Sequence, residues 1–160
     1  MPEATDHKQA LVVGNRLYEV RWPSSDARYS TVEVSLDRAL PWTFAAAMWR
    51  GISFGSSGNV AYLWSADRFV VLPDTPSATV EAFDPDEDLL VVFSAGDRWL
   101  LVCESSLRVL VGLREVQRLE LPDVVVKASW AGSELLIRLF GDIGYEFVLE
   151  GESLRLRDEL

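Results

Sequence analysis

One histidine, one cysteine and no apolar run longer than the six residues Phe44 to Trp49 set the first limits on this 160-residue chain. Histidine is the commonest general base near neutral pH and a frequent metal ligand. The single copy, His7, lies in the polar stretch Pro2 to Gln9. A Ser-His-Asp triad or a histidine-rich zinc site is therefore not expected. One thiol, Cys103, permits neither an internal disulfide nor a thiolate cage. It sits in Arg98-Trp99-Leu100-Leu101-Val102-Cys103-Glu104, which reads as a strand, and a buried free cysteine behaves as a small hydrophobe. Six apolar residues fall far short of the ~18 that a spanning helix needs. The start, Met-Pro-Glu-Ala-Thr-Asp, has neither the basic nor the apolar region of a secretory signal. A cytoplasmic location is the expectation, with no membrane partner. Gly51, Gly55 and Gly58 form a glycine-rich loop, but no Lys-Ser/Thr pair follows, so a phosphate-cradling loop is absent and no cofactor is expected.

What the chain does have is apolar and acidic residues. Hydrophobic residues make up 49% and charged residues 25%, the balance of a folded globular chain rather than a disordered one. The formal net charge is −10. Residues 1–58 hold six basic and six acidic groups, and residues 59–160 hold nine basic and nineteen acidic ones. The whole imbalance therefore lies in the later part. A field of this sign repels phosphate backbones and anionic lipid surfaces. It attracts a cationic partner and speeds the encounter.

Short β-type runs separated by turn residues dominate the sequence. Val32, Val34 and Leu36 alternate with Thr31, Glu33 and Ser35, the period of a half-buried strand. Leu89 to Phe93 and Val124 to Val126 are continuous apolar runs, which suit strands covered on both faces. An internal repeat organises these runs. Gly14-Asn15-Arg16-Leu17-Tyr18 resembles Gly58-Asn59-Val60-Ala61-Tyr62, and Gly96-Asp97-Arg98-Trp99 and Gly132-Ser133-Glu134-Leu135 look like further copies. Each copy has an apolar strand before the glycine and two or three strands after it. The glycines at 14, 58, 96 and 132 are about 40 residues apart, the length of a four-stranded propeller blade. The expected fold is all-β: four propeller-like antiparallel repeats, with a β-sandwich or barrel as the alternative. A flexible N-terminal tail over 1–9 and a single β-domain over 10–160 complete the expected organisation. An incomplete ring would leave an open flank, and a homodimer is one way to cover it.

The first interval is the longest, and Pro41-Trp42-Thr43-Phe44-Ala45-Ala46-Ala47-Met48-Trp49-Arg50-Gly51 coincides with the excess. Proline near the start, three alanines and a closing glycine predict one short helix here. Its apolar side chains Trp42, Phe44, Met48 and Trp49 are candidate partner-binding residues, because tryptophan and methionine are enriched at interfaces. Asp84-Pro85-Asp86-Glu87-Asp88 is the densest acidic cluster and reads as a solvated loop between repeats. It lacks the spacing of a calcium loop. Asp84, Asp86, Glu87 and Asp88 join the candidate partner-binding set as its acidic half. Six tryptophans are many for this length and read mainly as packing residues.

No residue set in the sequence points to catalysis. The functional expectation is a non-catalytic protein-binding module, of the immunity-protein or adaptor kind, directed at a basic protein. The alternative is a carboxylate-dependent hydrolase or carbohydrate-binding module, which needs two carboxyls facing each other about 5–10 Å apart. Glu104, Glu134 and Glu146 lie in or beside strands, but among 25 acids no single pair stands out.

Overall fold

The computed structural model describes residues 6–24, 27–39 and 41–160. The described residues form sixteen strands and no helix, and every strand pairing is antiparallel. The strands make four sheets of four. The first holds β1 (His7–Val13), β2 (Arg16–Trp22), β3 (Tyr29–Leu36) and β4 (Trp42–Ala47). The second holds β5 (Ser53–Ser57), β6 (Val60–Trp64), β7 (Phe69–Leu72) and β8 (Glu81–Phe83). The third holds β9 (Leu89–Ala95), β10 (Arg98–Cys103), β11 (Ser106–Val111) and β12 (Arg114–Glu120). The fourth holds β13 (Val125–Ala131), β14 (Glu134–Leu139), β15 (Ile143–Glu150) and β16 (Ser153–Glu159). In every sheet the spatial order follows the chain order. That is the simple meander of a propeller blade. None of the four sheets closes into a barrel, and no strand crosses from one sheet to another.

The repeated glycines hold the same place in each sheet, the turn of the first hairpin. Gly14, Gly58, Gly96 and Gly132 have φ of 61°, 57°, 67° and 66°. A two-residue hairpin turn needs this left-handed backbone, which a side chain disfavours. The sequence repeat therefore marks a backbone requirement that recurs once per sheet.

The expected helix over Pro41 to Gly51 is not there. Trp42–Ala47 is β4, paired with β3 from Tyr29↔Ala47 to Val34↔Trp42. Trp42, Phe44 and Ala46 turn toward the core, while Thr43 and Ala45 face out. That is a period of two, not of 3.6. Alanine favours a helix, but a segment this short gains little from propensity alone. A fourth strand gains a full ladder of hydrogen bonds along β3. The greater length of the first repeat lies instead in its strands: β2, β3 and β4 have seven, eight and six residues, against five, four and three in β6, β7 and β8.

The chain divides into two compact units, Met1–Asp84 and Pro85–Leu160. Each unit contains two sheets with a core between them. Val20, Val34, Leu36, Leu63 and Val70 are central to the first core, and Leu100, Val109, Leu135, Ile137 and Phe147 to the second. Within the first unit, Asp67 ties the sheets together. Its Oδ1 accepts from the Ala47 N–H at 2.9 Å and from the Ser65 hydroxyl at 2.7 Å. The strand β1 starts inside the stretch 1–9 expected as a tail: His7 pairs with Trp22, and their rings stack at 5.4 Å. Asp6, just before β1, pairs with Arg21 at 3.0 Å, and residues 1–5 lie outside the described residues.

Candidate functional site

The four apolar side chains proposed from the sequence separate in the structure. Trp42, Phe44 and Met48 pack against the first core. The Trp42 indole Nε1–H donates to the Ala78 carbonyl at 3.0 Å, so its polar end is satisfied within the fold. Trp49 lies beyond the end of β4 and is 42% exposed. The strand pairing brings Tyr29, at the start of β3, to this place. Tyr29 pairs with Ala47, and the Met48 N–H donates to the Arg28 carbonyl at 2.8 Å. The Tyr29 ring, 57% exposed, meets Trp49 edge-on at 5.6 Å and 88°. The Arg28 guanidinium lies 5.1 Å from the centre of the Trp49 ring, within cation–π range. Arginine, tyrosine and tryptophan are the types that carry most interface energy. Sequence reasoning missed Arg28 and Tyr29. The signal was present for Tyr29, which shares the outward parity of Thr31 and Glu33 opposite Val32, Val34 and Leu36.

The acidic segment also separates. Asp84 and Asp86 are exposed, and Asp86 takes a left-handed φ of 60°. Glu87 turns inward. Its Oε1 accepts from the Ser105 N–H at 2.8 Å, and its Oε2 from the Ser106 hydroxyl at 2.9 Å and from Arg108 Nη2 at 3.0 Å. Burial pushes the Glu87 carboxyl up, but these hydrogen bonds outweigh it and hold the group below its ordinary value of 4.5. Arg108, only 3% exposed, also donates to Ser106 Oγ, Glu115 Oε1 and the Pro85 carbonyl, each at 2.8 Å. Asp88 is half-buried, and its carbonyl accepts from the Glu104 N–H at 2.8 Å. Glu87 and Asp88 thus hold the segment to the third sheet, and Asp84 and Asp86 face the solvent.

The carboxylate pair that a glycosidase needs is not presented by Glu134 and Glu146. Both approach one guanidinium nitrogen, Arg157 Nη1, at 2.5 and 3.7 Å, so the two carboxylates are paired with a single arginine. The Glu104 main-chain carbonyl accepts from the Val125 N–H at 2.9 Å. Cys103 is fully buried and its thiol is pushed up to about 12, chiefly by that burial, so it is a poor nucleophile. Among the described residues, no three His, Cys, Asp or Glu side chains are placed to hold a metal ion.

Shallow clefts lie within single units. In the first unit, a space of about 340 Å³ is lined by both Gly-Asn turns, through Gly14, Asn15 and Asn59, together with Arg16, Tyr18 and Asp74. In the second, about 430 Å³ lies over the face of the fourth sheet that points away from its core, beside Lys127, Leu136, Arg138 and Leu160.

No family model and no curated protein sequence matches the chain. Solved structures do. A CNH domain, that of AfRom2, is similar over 96% of this chain with 13% identity and a TM-score of 0.52. A fragment of HIRA is similar over 97% with 11% identity and a TM-score of 0.50. This chain spans 54% of each of those chains, about half their length. At such identities the likeness concerns the fold alone. It extends over nearly the whole chain, and the fold it supports is an all-β array of four-stranded antiparallel sheets of the propeller type.

Proposed function

We propose that this chain is a non-catalytic protein-binding module, of the adaptor or immunity-protein kind, directed at a protein with a basic surface. The observation that carries the reading is the exposed cluster of Arg28, Tyr29 and Trp49 at one end of β3 and β4. Two aromatic rings and a guanidinium, held by backbone hydrogen bonds, form a preorganised anchor. The Met48 N–H holds the Arg28 carbonyl, and the Met48 side chain packs against the first core. Asp84 and Asp86, with the net charge of −10, supply long-range attraction for a cationic partner. The propeller-like fold suits this role, since its sheets form a rigid scaffold that presents exposed turns.

The test is affinity capture with quantitative mass spectrometry, comparing the wild type with Trp49→Ala and Tyr29→Ala. A basic protein captured by the wild type and depleted at least tenfold in both variants, with unchanged thermal melts, is the expected result. A partner captured equally by all three overturns the anchor. A partner set with no basic member overturns the electrostatic half.

A further inference from the structure

The large apolar side chains that remain exposed are not scattered evenly. Val124, Val126, Phe140, Ile143 and Leu160 all belong to the fourth sheet or its connections. The meander gathers them at one end of that sheet, where β13 begins, β14 ends, β15 begins and β16 ends. Phe140 is 69% exposed and Val126 is 64% exposed. A β-bulge between Val125 and Lys127 takes Val126 out of the ladder. The Phe140 N–H donates to the Val124 carbonyl at 2.8 Å, and the Leu160 N–H donates to the Gly144 carbonyl at 2.8 Å. A Cβ at Gly144 would stand 3.2 Å from the Leu160 Cβ, so the glycine leaves room for Leu160. An apolar group of this kind, fixed by backbone bonds, marks a contact site.

The charges beside it are split by side. Lys127 lies on the edge strand β13 and pairs with Arg138 on β14, whose guanidinium is in turn 3.5 Å from Asp142 in the following turn, so Lys127 is the basic charge on that edge. Asp158 and Glu159 lie on β16, at the opposite edge. The β16 arginines, Arg155 and Arg157, are engaged by Glu150 and Glu134. A two-fold axis through an apolar centre exchanges its two flanks. The basic flank of one copy then meets the acidic flank of the other, while the apolar centres meet each other. A general cationic partner would gain nothing from Lys127. We propose that this end of the fourth sheet is the contact surface for a second copy of the chain, paired face to face about a two-fold axis. The surface is separate from the Arg28–Tyr29–Trp49 anchor.

Sedimentation velocity of the wild type and of Val126→Asp/Phe140→Asp tests this pairing. The expected result is a wild-type mass twice the 17.9 kDa of one chain, and a single-chain mass for the double variant. Trp49→Ala is expected to stay paired, which separates this surface from the proposed anchor. Both substituted side chains are exposed, and Phe140→Asp alone, at a turn, serves if the double variant loses its circular-dichroism spectrum. A wild type that sediments as one chain at all concentrations overturns the proposal. So does a paired state that survives the substitutions, or an assembly larger than two.

Discussion

Arg108 is the charged residue that the second unit buries most completely. Every nitrogen of its guanidinium has a partner, drawn from Ser106, Glu115, Glu87 and the Pro85 carbonyl. Burying a charge costs several kcal/mol unless such partners replace water. Removing one partner is then worse than removing both. Arg108→Met is expected to destabilise the chain by about 3–5 kcal/mol in urea denaturation. Glu87→Leu combined with Arg108→Met is expected to recover part of that loss, and a double variant as unstable as the sum of the singles would show that the two side chains act independently. Glu87 also sets an acid limit. Its carboxyl is held below 4.5 in the folded chain, so its contribution is present above that value and is lost as pH falls through the lower, folded one. Thermal melts below pH 4.5 are expected to fall less steeply for Glu87→Gln than for the wild type. Neither role was legible in the sequence. Asp84 to Asp88 reads as a uniform run of acids, and only the turn geometry decides which carboxyl points inward.

At the scale of an element, β4 shows where local and tertiary preferences conflict. The triplet Ala45-Ala46-Ala47 favours a helix, while Trp42 and Phe44 on alternate positions favour a strand. Pairing with β3 decides the outcome. The conflict makes a discriminating prediction at Ala45, which is exposed on the outward face of the strand. Ala45→Thr is expected to leave stability unchanged or raise it by up to about 1 kcal/mol, as strand propensity requires. In a helix the same change would cost about 0.5 kcal/mol. Chemical denaturation measures the sign. Most other elements were legible, because the glycines at 14, 58, 96 and 132 carry a backbone requirement that no distant contact can override. The fourth strand of the first repeat was lost for one reason: its residues carry a helix signal as strong as their alternation. Of the four apolar side chains, Trp49 is exposed while Trp42, Phe44 and Met48 are half-buried, and for Trp42 and Phe44 that follows from strand parity and not from hydrophobicity.

At the scale of the molecule, charge is unevenly shared between the units. Residues 1–84 hold seven basic and ten acidic groups, and residues 85–160 hold eight and fifteen. The outward face of the first sheet is locally balanced by Lys8–Glu19 at 2.9 Å and Arg21–Asp6 at 3.0 Å. Exposed pairs of this kind contribute little stability. The unbalanced acids act at longer range. Association with a basic partner is therefore expected to slow by about tenfold or more as the Debye length shrinks from about 30 Å at 0.01 M salt to about 10 Å at 0.1 M. Surface plasmon resonance reads this directly, with the dissociation rate expected to change far less.

The uninterrupted order of strands within each sheet bears on how such a chain can change length. Since every sheet is written by one contiguous stretch of about forty codons, a tandem duplication or deletion of that block adds or removes a finished layer without rethreading its neighbours. Because each core lies between two sheets, the block that can be gained or lost without stripping a core is the pair of sheets, about eighty codons.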